Sequence, residues 1–271
     1  MSTYFVSSLR KGLEVLTCFG RQQVRLTVSD VARLTSVSPA SARRSLLTLV
    51  DLGYLGADGK YFWMLPKCLL IAHAFLSSGP LPSLAQPLLD SFSARTRESV
   101  SLGQLMGDDV ITVARATGRR SLSTGLGVGS RLPSYCSAIG RVLLADLPPI
   151  AVAARLESIP RPALTSKTVT DVHQILDILD RCRESGWSSS DGEIEVGVRA
   201  LAVPVRDLKG RAMAGLSIAA RVERVGMNEF QAILLKPLMG VRDALQEQLF
   251  PSLAHKSTSN HPPAKPGAFK L

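Results

Sequence analysis

Residues 27–64 leave this chain few folds to choose from, because three local signals follow one another with almost no spacer. In TVSDVARLTSV, Thr27 precedes an apolar-periodic run and Asp30 stands three residues on, the spacing of a helix N-terminus. Val28, Val31, Ala32 and Leu34 supply that helix with a side to bury. Ser36 and Val37 leave room only for a tight corner. Ser38 then caps a second helix, SPASARRSLLTLVDLGY, and Pro39 suits its first turn, where a missing N–H costs nothing.

At about 100° per residue, Ala42, Leu46, Leu49 and Val50 share one face of that second helix. Arg44 points away from them, flanked by Ala40, Ser41 and Thr48, with Arg43 at the border and Leu47 also outward. Gly53 ends the helix. YLGADGKYFWM then reads as a β-hairpin turning at Asp58-Gly59, with Lys60 and Tyr61 at the tip. A helix with apolar residues inward and small residues plus an arginine outward suits a major groove, and a basic hairpin tip suits phosphates. The expected DNA contacts are Ser38, Ala40, Ser41, Arg43, Arg44 and Thr48 on the helix, with Lys60 and Tyr61 on the wing. Helix-turn-helix units also occur in proteins that bind no DNA, so the charge balance has to be consulted.

The net charge of +10 is unevenly placed. Residues 1–80 carry nine Lys/Arg against four Asp/Glu, whereas residues 81–250 carry twenty against eighteen. The excess sits on the helix-turn-helix stretch, as binding by counterion release requires. With 271 residues, 45% of them apolar, there is room for two domains. Cys18, Cys68, Cys136 and Cys182 show no paired spacing and read as reduced thiols. There is no signal-peptide pattern, and no run approaches the roughly 20 apolar residues that span a bilayer. A cytoplasmic protein without membrane partner, cofactor or metal is expected.

Along the chain, residues 7–19 suit a first helix capped by Ser7 or Ser8, with Leu9, Leu13 and Leu16 at helical spacing and Val15 and Phe19 widening the apolar face. Residues 65–77 read as a linker helix that Gly79, Pro80 and Pro82 break. His73 there reads as a surface residue. A further helix is expected from Ser83. SVSLGQLM and VITVARA are β-rich runs around the turn at Gly107-Asp108-Asp109. The loop GLGVGSRLPS leads to a helix in YCSAIGRVLLADL, and two amphipathic helices follow. RALAVPVRD and AMAGLSIAAR read as strands around Lys209-Gly210, and a closing helix contains Pro237, which predicts a kink or break. The fold class is α+β: a winged helix-turn-helix at 1–64, a linker helix at 65–82, an α+β domain with an antiparallel sheet at 83–250, and a disordered Pro/Ser/Lys-rich tail at 251–271.

The chemistry of the second domain centres on Ser134, Tyr135, Cys136 and Ser137 at a helix start, where free N–H groups favour an anion and Arg131 adds charge. The same residues would equally serve to cap and pack. GLGVGS lacks both GxGxxG and a following lysine, so a connector is the better reading.

The order of these pieces resembles the IclR family of bacterial transcription regulators. VSDVARLTSVSPASARRSLLTLVDLGYL, LPKCLLIAHAFLSS, RLPSYCSAIGRVLLA, and EIEVGVRALAVPVRD with AGLSIAA carry the resemblance, which spans residues 7–250. The wording RLPSYCSAIGRVLLA and DGEIEVGVRALAVPV is most similar to the branch controlling catabolism of aromatic acids of the protocatechuate and 4-hydroxybenzoate type. What the resemblance implies is a dimer or tetramer on palindromic double-stranded operator DNA, with a small carboxylate bound in the C-terminal domain. Its implied pocket takes in Ala138, Ile139 and Gly140, the segment from Ser190 through Asp191 to Glu193, Ala200, and the strand positions Ser217 and Ala219. Ser190 stands where some members have an acid, and Ala219 where some have a serine. The effector's carboxylate is expected near Tyr135, Cys136, Ser137, Ala138 and Ile139, with Arg131 and Ser217 contributing and Leu132, Ala200 and Ala219 lining the rest.

An enzyme with an accessory winged-helix module is the competing reading, but its signs are missing. His73, His173, His255 and His261 are dispersed, and neither HExxH nor GxSxG occurs. A protein-binding winged module fits the basic N-terminal excess poorly.

Overall fold

The computed structural model describes residues 4–20, 23–118 and 126–251, which form two compact units, Met1–Ser78 and Gly79–Leu271. The tail expected to be disordered lies beyond Pro251, outside the described residues.

The first unit is built on helices α1 (Ser7–Thr17), α2 (Val28–Thr35) and α3 (Pro39–Asp51), the hairpin β1 (Leu55–Ala57) and β2 (Phe62–Met64), and α4 (Cys68–Ser78). The Thr27–Asp30 capping box forms in both directions. Thr27 Oγ1 accepts from the Asp30 N–H at 3.2 Å, and the Asp30 carboxylate accepts from the Thr27 N–H at 3.0 Å. Ser38 caps α3 with Pro39 in its first turn. Val15, Phe19, Leu26, Val31, Ala42, Leu46, Leu55 and Phe62 form the core.

Several local expectations change. The α1 cap position is Val6, with no side-chain cap, so neither Ser7 nor Ser8 serves. α1 is anchored by Val15 and Phe19, while Leu9 and Leu13 stay exposed, because three short helices bury only one narrow stripe of α1. Leu34 is exposed for the same reason. The hairpin pairs Ala57 with Phe62, so its central residues are Gly59-Lys60 rather than Asp58-Gly59. The Asp58 carboxylate folds over the turn to accept the Tyr61 N–H at 2.9 Å, and the positive φ of 91° falls on Gly59.

The second unit holds α5 (Pro80–Thr96), β3 (Ser99–Met106), β4 (Asp109–Ala116), β5 (Arg131–Pro133), α6 (Ala138–Leu144), α7 (Pro149–Ser158), α8 (Val172–Ser185), β6 (Ser188–Asp191), β7 (Val198–Arg206), β8 (Ala212–Arg221) and α9 (Met227–Leu249). The strands form one antiparallel sheet in the order β5-β4-β3-β8-β7-β6. α5 and α9 cover one face through Leu89, Phe92, Phe230, Leu238 and Leu245, packed on Leu201, Val203, Leu216 and Ile218. α6 covers the other face, with α7 and α8 packed behind it through Val152, Leu156, Ile175 and Leu179.

The linker helix ends at Ser78 with a break at Gly79, as expected, but the next helix starts at Pro80 rather than Ser83, since proline is tolerated in a first turn. α9 runs unbroken through Pro237. The helix read from Tyr135 onward begins only at Ala138, where the Ser137 hydroxyl accepts the Gly140 N–H at 3.0 Å. Two short edge strands, β5 and β6, escape a period-based reading because three or four residues show no period.

Candidate functional site

On α3 the exposed residues are Ser38 at its cap, Pro39, Ala40, Arg43, Arg44, Leu47, Thr48 and Asp51. Neither arginine has an ion-pair partner among the described residues. Ser41 is a correction: it is buried, because the two-residue corner holds α2 against the first turn of α3, and its N–H is taken by the Ser38 hydroxyl. At the wing, Lys60 is exposed and Tyr61 half-buried. This arrangement presents two exposed cations on a helix face and a third at a hairpin tip, as a groove-and-backbone contact requires.

The second unit contains a cavity of about 100 Å³. Its floor follows from strand register. One row runs Arg115, Ser101, Ser217 across β4, β3 and β8, and the next runs Ser99, Ala219, Ala200, Ser190 across β3, β8, β7 and β6. Ser137, Ala138 and Ile139 close it at the start of α6, with Leu126, Leu132 and Ile194 also lining it. The small side chains at Ala200 and Ala219 keep the middle of the floor low.

α6 lies close on the sheet because glycine sits below it. A Cβ at Gly215 would come within 2.7 Å of Ile139 Cγ2, and one at Gly140 within 2.2 Å of the Ser134 carbonyl oxygen.

Of the residues expected at the effector, Leu132, Ser137, Ala138, Ile139, Ala200, Ser217 and Ala219 line this cavity. Five lie elsewhere. Arg131 is exposed on edge strand β5 and paired with Asp109. Tyr135 is buried and its hydroxyl donates to the Pro162 carbonyl at 2.5 Å. Cys136 is buried, and its carbonyl accepts from the Ser190 hydroxyl at 3.0 Å. Asp191 faces Arg199 at 3.3 Å. Glu193 is buried in a two-pronged pair with Arg141, at 2.6 and 2.7 Å. Tyr135 and Cys136 sit in the turn between β5 and α6, which carries both behind the cavity wall.

Arg115 is the residue missed by sequence reasoning. Its guanidinium donates to the Ser101 hydroxyl at 2.7 Å, its Nε has no hydrogen-bond partner, and it has no ion-pair partner among the described residues. Burial pulls it below the ordinary arginine value. By contrast Arg221 pairs with Glu195 at 3.7 Å, and Glu98 pairs with Arg224. The signal was available: in VITVARA an arginine takes a face position in a strand with alanine on either side.

Burial raises both Cys136 and Cys182 to about 11, and it raises the Tyr135 phenol as well. No single described helix is long and apolar enough to cross a membrane.

Comparison with known proteins now bears on this geometry. The model for the IclR helix-turn-helix domain matches residues 8–59, and that for the bacterial transcriptional regulator IclR C-terminal domain matches residues 73–243. The Pca regulon regulatory protein of Pseudomonas putida is 38% identical, covering 91% of this chain and 85% of its own. The p-hydroxybenzoate hydroxylase transcriptional activator of Acinetobacter baylyi is 36% identical, covering 82% of this chain and 83% of its own. An IclR homologue from Microbacterium hydrocarbonoxydans, crystallised with 4-hydroxybenzoate, superposes with a TM-score of 0.70 at 25% identity, covering 89% of this chain and 99% of that one. With both of its units matched in sequence order, the chain belongs to the IclR family of bacterial transcriptional regulators.

Proposed function

We propose that this regulator controls genes of aromatic-acid catabolism in the cytoplasm and responds to a small aromatic carboxylate held in the second unit's cavity. The observation that carries the reading is Arg115, a half-buried cation lining the cavity that pairs with no carboxylate among the described residues. An anion arriving there restores the electrostatic interactions that burial removed. Its carboxylate meets Arg115 and the hydroxyls of Ser101 and Ser217, and its ring lies over Ala200 and Ala219 against Ile139. The α6 N-terminus is a lesser anchor, since the Gly140 N–H is already taken by Ser137. The names of two relatives and the 4-hydroxybenzoate bound to a third support the aromatic class.

Calorimetry on the intact protein with benzoate, 4-hydroxybenzoate, protocatechuate, phthalate and β-ketoadipate tests this. Arg115→Gln is expected to weaken the best ligand roughly 10- to 100-fold, the worth of about 1.5–3 kcal/mol for hydrogen bonds to a charged group. Unchanged affinity in that variant, or in the bulkier Ala219→Leu, would place the ligand elsewhere.

On DNA, Arg44 reads a base edge while Arg43 and Lys60 meet phosphates. Arg44→Ala is expected to lose about 1–3 kcal/mol on operator DNA and to relax one base position per half-site, whereas Lys60→Ala weakens all sequences alike. Equal loss on operator and random duplexes for Arg44→Ala would refute the assignment.

We also infer a dimer, and a tetramer by further association. One recognition helix spans too few base pairs for a specific site. α4 buries none of its residues and leaves Leu69, Leu70, Ile71 and Phe75 at 68%, 64%, 52% and 51% exposure, while Leu9 and Leu13 of α1 are likewise open. Such apolar surface belongs to an interface. Light scattering should give a dimer or larger, and Leu70→Glu with Phe75→Glu should give monomer. A parent that is monomeric both free and on DNA would overturn the assembly.

A further inference from the structure

The wing carries an arrangement that the recognition helix does not explain. Leu26 and Phe62 exchange backbone hydrogen bonds at 3.0 and 2.8 Å, tying the segment before α2 to the hairpin. This sets Arg25 beside the wing. Its guanidinium carbon lies 5.3 Å from the Tyr61 ring centroid and 4.9 Å from that of Trp63, inside cation–π range of both. Gly56 lets the Trp63 indole lie on the strand, since a Cβ there would come within 2.6 Å of it. Lys60 Nζ stands 5.2 Å from the Tyr61 ring, so two cations gather at one hairpin tip. Arg25 also pairs with Asp58 at the turn, and both side chains are about half exposed, at 51% and 43%.

We propose that Arg25 is a DNA contact of the wing, exchanging the Asp58 carboxylate for a backbone phosphate when the duplex docks. The proposal rests on the DNA-binding role of the helix-turn-helix unit. A phosphate accepts a guanidinium in the same two-pronged way as a carboxylate. An exposed ion pair is weak and salt-screened, so the exchange meets little resistance. The two rings hold the guanidinium beside the wing beforehand, which reduces the ordering needed on binding. Asp58 then stands as the competing anion that lowers non-specific affinity.

Asp58→Asn separates charge from structure, because the asparagine carbonyl still accepts the Tyr61 and Lys60 N–H groups that close the turn. Fluorescence anisotropy of the intact protein, on a duplex of its own upstream intergenic DNA and on a scrambled duplex, is followed through a KCl series. Arg25→Gln should lower the slope of log K against log salt by about 1 per protomer on both duplexes, roughly a fivefold loss per protomer near 0.15 M salt. Asp58→Asn should tighten both duplexes when Arg25 is present and change little in the Arg25→Gln background. An unchanged slope in Arg25→Gln overturns the proposal while the parent still binds DNA. Equal tightening by Asp58→Asn with and without Arg25 also overturns it, since Asp58 would then act by general repulsion. A parent that binds neither duplex overturns the DNA-binding reading as well.

Discussion

Replacing Arg141 with methionine is expected to destabilise the second unit by about 3–5 kcal/mol, the range for breaking one side of a buried ion pair. Arg141 is 2% exposed and Glu193 7%. The guanidinium satisfies both Glu193 oxygens and also donates to the Tyr135 carbonyl at 3.1 Å and the Ser189 carbonyl at 3.0 Å. Methionine fills much of the volume but leaves a carboxylate buried without its cation. Chemical unfolding followed through the second unit's transition measures the loss. Adding Glu193→Leu to Arg141→Met should recover a large part of it, because the stranded charge is gone. The remaining deficit comes from the two carbonyls and from the Val169 N–H that Glu193 accepts at 3.1 Å. A single variant that loses under about 1 kcal/mol, or a double variant no better than the single, would show that the pair is not the tie we describe.

Gly140→Ala is the second large effect. Helix propensity alone would favour alanine by about 1 kcal/mol. The contact geometry reverses the sign, because the new Cβ would stand 2.2 Å from the Ser134 carbonyl oxygen and 2.3 Å from its Cα. Those are backbone atoms, so no rotamer change relieves the clash, and α6 must part from the turn that precedes it. The loss is expected near the top of the overpacking range, about 3 kcal/mol, or roughly 6–12 °C in the unit's Tm. Gly240→Ala on α9 is the matched control. Nothing lies within 4 Å of a Cβ there, so Tm should hold or rise. Equal behaviour of the two variants would argue against the close packing of α6.

The sites differ in how they could be seen beforehand. Periodicity placed Arg44 on the outward helix face and Arg43 at its border, and the structure exposes both. Ser41 was misplaced because a wheel takes no account of the helix crossing its first turn. In the cavity, Ala138, Ile139, Ser217 and Ala219 came from family wording. Arg115 needed the sheet, since only register puts it in the row of Ser101 and Ser217.

By itself the sequence determined whatever depends on neighbours a few residues away. The Thr27–Asp30 box, the Ser38 cap with Pro39, the apolar stripe of α3 and the turn at Gly107-Asp108 are all interactions within about one helical turn or one hairpin. The tertiary structure decided what depends on strand order and on loops of dozens of residues. It set Arg141 against Glu193 across 52 positions and turned Tyr135 and Cys136 behind the cavity wall. It also stacked Arg25 on Tyr61 and Trp63. No local period encodes such pairings, because closing those loops is governed by the packing of α6 on the sheet and of the wing on the segment before α2, not by the preference of any one residue.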